Sequence, residues 1–204
     1  LITIPTTSGT GAEATWAIVL TDTEAQRKLG LGARENMADI AIIDPELAVA
    51  MPPRLTASTG LDALTHAIEG YASTWHNDFC DGLCLQAARL IFDWLPKACA
   101  AGNDLEAREK MHNAACIAGL GFGNSMAALA HSMGHSLGAA CHLPHGRCVG
   151  LFLPYTIEFA ANGGGTRYAE IAHHLRLPCS SEAEAASNLV AAIRALQETL
   201  DEPT

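Results

Sequence analysis

Four of the nine histidines in this 204-residue chain fall within one short segment, HSMGHSLGAACHLPHGR, at His131, His135, His142 and His145. His131 and His135 are four residues apart, so on a helix they lie one turn apart on the same face. The proline and glycine on either side of His145 predict a turn that brings its imidazole back over that helix. Imidazoles at these spacings can bind a metal or move a proton, and spacing alone does not decide which of the four do so.

A second pair of metal-binding residue types, Asp62 and His66, lies in the segment TGLDALTHAIEG, again four residues apart. Taken alone, an Asp–His pair at this spacing is more typical of a surface hydrogen bond. Together with the later histidines it predicts a metal site. A carboxylate with two or more imidazoles suits Fe²⁺ or Zn²⁺, whereas Mg²⁺ and Ca²⁺ prefer oxygen ligands.

The remaining histidines of interest have no partner motif. His112, His173 and His174 fall in other helical patterns, and His76 follows a tryptophan in a loop-like stretch. Histidines without such a partner are most often partly exposed polar residues. We therefore predict that these four face solvent and take no part in the site.

Composition excludes several classes of function. The formal net charge is −10 and the few basic residues form no stripe, which argues against a nucleic-acid partner. No run of eighteen apolar residues is present, so no membrane segment is expected. The seven cysteines contain no CxxC pair and are expected to be reduced and buried as small hydrophobic residues. Together these features predict a cytoplasmic protein without a membrane partner.

The composition and periodicity of the sequence change near Met51 to Arg54. Before that point, short β-favouring runs (LITIP, TWAIVLTD, ADIAIID) alternate with turn residues, and after it the sequence is rich in Ala and Leu with helical periodicity. We therefore divide the chain into residues 1–52 and residues 53–204. Helices are predicted at residues 56–73, 78–101, 105–124, 127–139, 148–162, 166–175 and 181–200.

Four segments carry a family resemblance: PTTSGTGAEAT, MPPRLTASTGLDALTHAIEGY, GLGFGNSMAALAHSMGHSLGA and PHGRCVGLFLP. In order and separation they resemble signature segments of the iron-containing (group III) alcohol dehydrogenases. The resemblance implies a mainly α fold: a helical metal-binding domain of dehydroquinate synthase-like architecture, preceded by the last β portion of a Rossmann-like cofactor domain. The family's GGGSxxD-type phosphate loop is not found and the helical domain looks incomplete at its C-terminus, so we expect a piece of a longer enzyme.

The resemblance also implies roles for individual residues. The metal ligands would be Asp62, His66, His131 and His145. His135 would relay a proton near the nicotinamide, and Phe122 would line the substrate pocket. Contacts to the dinucleotide would come from Thr6, Thr7, Thr15 and Lys28.

The implied function is a metal-dependent, NAD- or NADP-dependent alcohol dehydrogenase or aldehyde reductase. Its Lewis acid would be Fe²⁺ or, alternatively, Zn²⁺. The implied assembly is a homodimer or larger homo-oligomer. Small neutral alcohols are favoured because the pocket segment from Gly121 to Ala139 has no Lys or Arg. Arg147, beside the last ligand, leaves an acid substrate open. The alternatives are a hydroxyacid–oxoacid transhydrogenase of the same family, a truncated non-catalytic metal-binding remnant, and a non-redox enzyme resembling the dehydroquinate synthases.

Overall fold

A computed structural model describes residues 1–25 and 27–204, which form a short β region followed by a helical bundle. Over these residues the helices are α1 Pro53–Ala72, α2 Asp78–Ala100, α3 Leu105–Phe122, α4 Leu129–Cys141, α5 His145–Asn162, α6 Arg167–His174 and α7 Glu182–Thr199. Each predicted helix corresponds to one of them, with ends that differ by about three residues or fewer. The predicted mainly α fold class is confirmed.

The β region consists of four short strands in two pairs among the described residues: β1 Ile2–Thr3, β2 Ala17–Asp22, β3 Arg27–Gly32 and β4 Ile40–Ala41. Strands β1 and β4 are parallel, and β2 and β3 form an antiparallel hairpin. Sequence analysis did not predict β3, because its two glycines and two basic residues are poor strand formers. Pairing with β2 along its whole length overrides that weak propensity.

Helix α1 is the centre of the bundle. Fifteen of its twenty residues are buried, and it packs on α2, α3 and α5. Three of its buried residues are ionisable: Asp62, His66 and Glu69. They follow one another at i, i+4 and i+7, so they share one face of the helix. The bundle therefore holds a polar stripe inside an otherwise apolar core.

Several helices begin at a residue that caps them. The Asn77 side chain accepts hydrogen bonds from two backbone N–H groups of α2, and Asp104 does the same for α3. The residues before α4 and α5, Ala128 and Pro144, supply no side-chain cap. The start of α4 therefore needs partners from elsewhere in the fold.

One histidine lies in a different environment from the one predicted. His112 is 1% exposed, and its Nδ1 lies 2.8 Å from the Oγ of Ser8, which is also buried. The expectation that His112 faces solvent was wrong, because the N-terminal segment and the turn Ala12–Ala14 cover this face of α3. His76 and His173 are exposed, as predicted, and His174 is half-buried.

The predictions from composition have mixed outcomes. All seven cysteines are free, although only Cys80, Cys84 and Cys148 are buried and Cys141 is exposed. Within the described part of the chain, every helix is too short or too polar to cross a lipid bilayer. The division at residues 52 and 53 and the cytoplasmic localisation stay predictions.

A buried arginine ties the β region to the bundle. The Arg108 side chain is 1% exposed and donates three hydrogen bonds, each of 2.8 Å, to the carbonyls of Met51 and Gly102 and to the hydroxyl of Thr56. These acceptors lie at the end of the β region, in the α2–α3 turn and on α1. One guanidinium thus joins the α2–α3 turn to Met51 and Thr56, which lie more than fifty residues earlier in the chain.

Replacing Arg108 with leucine is expected to lower the free energy of unfolding by about 3 kcal/mol, because the buried acceptors lose a charged donor. The measurement is urea denaturation followed by circular dichroism. Arg89→Leu is the control, since Arg89 is largely exposed and pairs with Asp93 at 3.8 Å. A change in the control of more than about 0.5 kcal/mol, or none in Arg108→Leu, would contradict the assigned role.

Candidate metal centre

Three helices bring one side chain each to a common point: Asp62 from α1, His131 from α4 and His145 from α5. The Asp62 Oδ1 lies 3.5 Å from His131 Nε2 and 3.3 Å from His145 Nε2. One ligand atom from each residue lies within 4.8 Å of the other two. Atoms that each bind one ion at about 2.1 Å are separated by about 3 to 4 Å, so this spacing fits a shared divalent cation.

His145 reaches this point from a helix and not from a loop. It is the first residue of α5, and the carbonyl of Pro144 accepts a hydrogen bond from the Cys148 N–H to close the first turn. The sequence pattern predicted that this helix begins at residue 148, which left His145 in a loop. In the structure the helix begins three residues earlier, so that prediction was wrong. Residues in a first helical turn are well placed for binding, since their side chains lie at the end of a rigid element.

Glycines allow the three helices to approach closely. A Cβ at Gly146 would lie 2.1 Å from the Ser58 carbonyl oxygen on α1. A Cβ at Gly134 would lie 2.5 Å from the Val149 side chain, so the contact of α4 with α5 also depends on a missing side chain. The convergence of the ligands is therefore built into backbone packing.

The polar atoms at the centre fit a metal. The side chains of Asp62 and His131 are 2% and 5% exposed, yet Asp62 Oδ1 and His131 Nε2 have no hydrogen-bond partner among the described residues. The same is true of His66 Nδ1. Unpartnered buried polar atoms cost about 1 to 3 kcal/mol each. Binding of one cation would satisfy these atoms together, so the donor set suits Fe²⁺ or Zn²⁺.

His66, the fourth predicted ligand, lies beside this group. Its Nδ1 is 3.9 Å from Asp62 Oδ1, and its ring stacks on His131 with the centroids 4.3 Å apart. On the other side the ring of Phe122 stacks on it at 4.0 Å and 10°. The compact three-residue group does not include His66, so the four-ligand set stays a prediction.

The electrostatics of the centre favour a positive charge. Burial, the largest influence, raises the pKa of Asp62, but the neighbouring histidines outweigh it and hold the pKa well below its usual range. Burial lowers the pKa of His131, whereas the carboxylates of Asp62 and Glu69 raise it to about 9 overall. Burial lowers the pKa of His66 to about 3. His66 is therefore neutral, the form in which imidazole binds metals.

The centre lies in the wall of a cavity of about 660 Å³. Residues of the β2–β3 hairpin also line the cavity, as do the apolar side chains of Trp16, Phe122 and Met126. Among the described lining residues, Lys28 is the single Lys or Arg. Arg147 is not among the described lining residues, and its Nε lies 3.3 Å from the carboxylate of Glu202. The cavity is therefore large enough for a cofactor ring and a small substrate, with little charge for an acid.

His135 lies beside the metal centre. Its ring centroid is 4.9 Å from that of His145 and 6.0 Å from that of His131, and it lines the cavity. Burial, with smaller contributions from these two histidines, lowers the pKa of His135 to about 4. It is thus a neutral imidazole that can accept a hydrogen bond. By contrast, His142 is exposed and ends α4 in a left-handed conformation.

Comparison with known proteins agrees with this site. Residues 56–204 match the profile described as "Fe-containing alcohol dehydrogenase family, C-terminal", and residues 1–45 match "Iron-containing alcohol dehydrogenase". The chain belongs to the iron-containing alcohol dehydrogenase family. The predicted family is confirmed.

Individual relatives of this family resemble the chain over its whole length. The NADPH-dependent butanol dehydrogenase of Clostridium saccharobutylicum is 42% identical, over 100% of the chain and 52% of that protein. The structure of an alcohol dehydrogenase from Oenococcus oeni is 37% identical with a TM-score of 0.95, covering 100% of the chain and 54% of that structure. The structure of a sulfoacetaldehyde reductase from Bifidobacterium kashiwanohense, in complex with NAD⁺, is 35% identical with a TM-score of 0.90. It covers 100% of the chain and 52% of that structure. The chain therefore spans about half the length of the relatives it matches.

The four predicted cofactor contacts divide into two groups. Thr15 and Lys28 line the same cavity as Asp62, His131 and His145. Thr6 and Thr7 are not among the lining residues, and Thr6 is exposed. All four remain predictions.

Sequence analysis missed three residues of this site. Trp16 lines the cavity and donates a hydrogen bond of 2.8 Å from its indole N–H to the carbonyl of Gly123. Met126 lines it with a φ of 88°, an uncommon conformation for a residue with a side chain. Glu69 contacts His131 directly. Only Glu69 left a signal in the sequence, since it follows Asp62 by seven residues and so shares its helix face.

Proposed function

We propose that this chain carries the metal centre and part of the cofactor site of an NAD(P)-dependent alcohol dehydrogenase or aldehyde reductase that acts on small neutral alcohols. One observation carries the proposal: the group formed by Asp62, His131 and His145 opens into a mainly apolar cavity that also presents Lys28. Family membership supports it. Relatives whose names include butanol and 1-propanol dehydrogenases agree with this class of substrate.

The residues of the centre have distinct tasks in this proposal. Fe²⁺ or Zn²⁺ held by Asp62, His131 and His145, with His66 as the predicted fourth ligand, would supply a Lewis acid that polarises the substrate oxygen. The Asp62 carboxylate offsets part of the charge of a dication. The imidazoles of His66, His131 and His145 would together restrict where the substrate oxygen can lie. Burial of the group strengthens each of these electrostatic interactions.

The cavity walls account for the choice of substrate. Trp16, Phe122 and Met126 exclude water and pack against a short hydrocarbon chain. An acid substrate would need a cationic partner, and Arg147 is paired with Glu202. Lys28 is proposed to contact the anionic cofactor, a role that would leave it unable to neutralise an acid. These features favour a neutral alcohol or aldehyde over a hydroxyacid.

The proposed reaction moves a hydride and a proton separately. Oxidation of the alcohol transfers a hydride from its carbon to nicotinamide C4, and the hydroxyl loses a proton. His135 lines the cavity, and in this proposal its imidazole accepts that proton and passes it to solvent. Reduction of the aldehyde runs the same steps in reverse. The chain thus orients the substrate and moves the proton, while the nicotinamide carries the hydride.

The test is elemental analysis of anaerobically purified protein, combined with assays of short primary alcohols and aldehydes using both NAD(H) and NADP(H). About one Fe or Zn per chain with turnover would support the proposal. Turnover of a hydroxyacid with an oxoacid, without added cofactor, would instead identify a transhydrogenase. Metal without any turnover would indicate a remnant that keeps the metal pocket. No metal, even after Fe²⁺ or Zn²⁺ is added back, would contradict the site.

Replacing His135 with alanine is expected to leave the metal content unchanged and to lower kcat about 100-fold, because a positioned proton acceptor contributes at least that factor. Metal per chain and kcat are measured on the same preparation. His173→Ala is the control, since His173 is exposed on α6. Loss of the metal from His135→Ala would show instead that His135 is a ligand.

Homo-oligomeric assembly is the remaining proposal about partners. The family resemblance implies a homodimer or larger homo-oligomer. Light scattering coupled to size-exclusion chromatography tests this directly. A monomer at micromolar concentration would contradict it.

A further inference from the structure

Glu69 is a buried carboxylate next to the metal centre, outside the predicted ligand set. It lies on α1 and is 5% exposed. Because it follows Asp62 by seven residues and His66 by three, it projects from the same face of the helix. Its side chain turns towards the start of α4, where it meets a set of hydrogen-bond donors.

Three donors converge on the Glu69 carboxylate. Its Oε2 accepts hydrogen bonds from the backbone N–H of Ala128 at 2.9 Å and from Nδ1–H of His131 at 2.6 Å. Its Oε1 accepts a hydrogen bond from the backbone N–H of Ala130 at 2.6 Å. An ionised carboxylate can accept from all three at once, since it offers acceptor sites only. A glutamine cannot, because its NH₂ group would face one of the donors.

The hydrogen bond between His131 and Glu69 determines which nitrogen of the His131 ring carries no proton. When Nδ1 carries the proton that it donates to Glu69, Nε2 presents its lone pair. The Nε2 atom is the one that lies 3.5 Å from Asp62 Oδ1, on the side of the metal centre. The carboxylate therefore sets both the tautomer and the rotation of the ring, as partners of metal-binding histidines commonly do.

The two backbone bonds decide where α4 begins. Ala128, the residue before the helix, has no capping side chain and an irregular conformation with φ −133° and ψ −141°. Glu69 replaces that cap with a carboxylate from another helix, and its negative charge also suits the helix N-terminus. His131 is the third residue of α4. The same side chain thus fixes the first turn of the helix and the ligand that the turn carries.

We propose that Glu69 is a positioning residue that holds His131 ready for the metal and so sets the metal affinity of the site. The inference rests on the proposed metal function of Asp62, His131 and His145. It goes beyond that function by assigning the affinity to a residue that does not touch the ion.

The test is the dissociation constant for Co²⁺ and Zn²⁺, measured on folded protein by competition with a chromophoric chelator. Glu69→Gln is expected to weaken binding about 10- to 100-fold, as loss of a hydrogen-bond partner behind a metal ligand typically does. The visible absorption of bound Co²⁺ is expected to shift, because the His131 ring is no longer held in one orientation. Helix content by circular dichroism confirms that the variant is folded.

Asp104→Ala is the matched control. Asp104 accepts hydrogen bonds from two backbone N–H groups at the start of α3, as Glu69 does for α4, but among the described residues it has no hydrogen bond to a histidine. The control is expected to lose a helix cap and to bind metal within about twofold of the unaltered protein. Equal weakening in both variants would overturn the inference, because capping alone would then explain the effect. An unchanged dissociation constant in Glu69→Gln would also overturn it.

A second measurement does not depend on a variant. In the Zn²⁺-loaded protein, ¹⁵N-edited spectra are expected to show a slowly exchanging, hydrogen-bonded proton on Nδ1 of His131. Absence of a proton on that nitrogen would overturn the inference. Failure of the proposed function itself has a different signature: Asp62→Ala would then bind metal as tightly as the unaltered protein.

Discussion

Replacing Asp62 with alanine is expected to remove the bound metal and to lower kcat/KM about 1000-fold or more. Asp62 is 2% exposed and contributes the carboxylate that faces both His131 and His145. Without it only imidazoles remain among the proposed ligands, and no carboxylate offsets the charge of a dication in a buried site. A Lewis acid contributes several kcal/mol, and about 1.4 kcal/mol corresponds to each factor of ten in rate. Metal per chain and kcat/KM are the quantities to measure.

The control for this prediction is Asp93→Ala. Asp93 is largely exposed on α2 and its nearest basic partner, Arg89, lies at 3.8 Å. It is expected to keep both metal and activity. A full metal complement with normal turnover in Asp62→Ala would exclude Asp62 as a ligand.

Replacing Gly146 with alanine is expected to lower the free energy of unfolding by about 3 kcal/mol and to weaken metal binding. The added Cβ would lie 2.1 Å from the carbonyl oxygen of Ser58 and 3.1 Å from Cβ of Asp62. The first of these neighbours is backbone and cannot rotate away, so α5 must move off α1. His145 begins α5 and would move with it. Chemical denaturation and metal titration measure the two effects.

Gly82→Ala is the matched control for this substitution. Gly82 lies on α2 and is exposed, and apart from its chain neighbours and its own helix backbone, no atom of the described residues lies within 4 Å of an added Cβ. There the same change is expected to raise the free energy of unfolding by about 0.5 to 1 kcal/mol, because alanine favours a helix more than glycine does. A stabilised Gly146→Ala variant would contradict the close packing of α1 and α5.

The helices were predictable because their signals are local. Each of the seven follows from a run of apolar periodicity, and residues such as Asn77 and Asp104 mark the starts. The pairs Asp62–His66 and His131–His135 were predictable for the same reason, since a helix places residues four apart on one face. Family membership was equally accessible, because its motifs are continuous stretches of sequence.

Two of the errors involve contacts with another segment, in one case a neighbouring strand and in the other a distant part of the chain. Strand β3 forms because β2 pairs with it, although its own residues favour no strand. His112 is buried because the N-terminal segment, about a hundred residues earlier, covers it and places Ser8 at 2.8 Å. Pattern and propensity contain no information about such partners.

At the candidate site, too, local features were predictable from the sequence and contacts between helices were not. The sequence by itself determined which residue types are available, their helical spacing, and the family to which they belong. Only the tertiary structure decided that Asp62, His131 and His145 converge, that His66 lies beside them against Phe122, and that Glu69 holds His131 from behind. The physical reason is that periodicity along a helix is a local property. The approach of α1, α4 and α5 depends on the packing of their whole surfaces, down to the single missing side chain at Gly146.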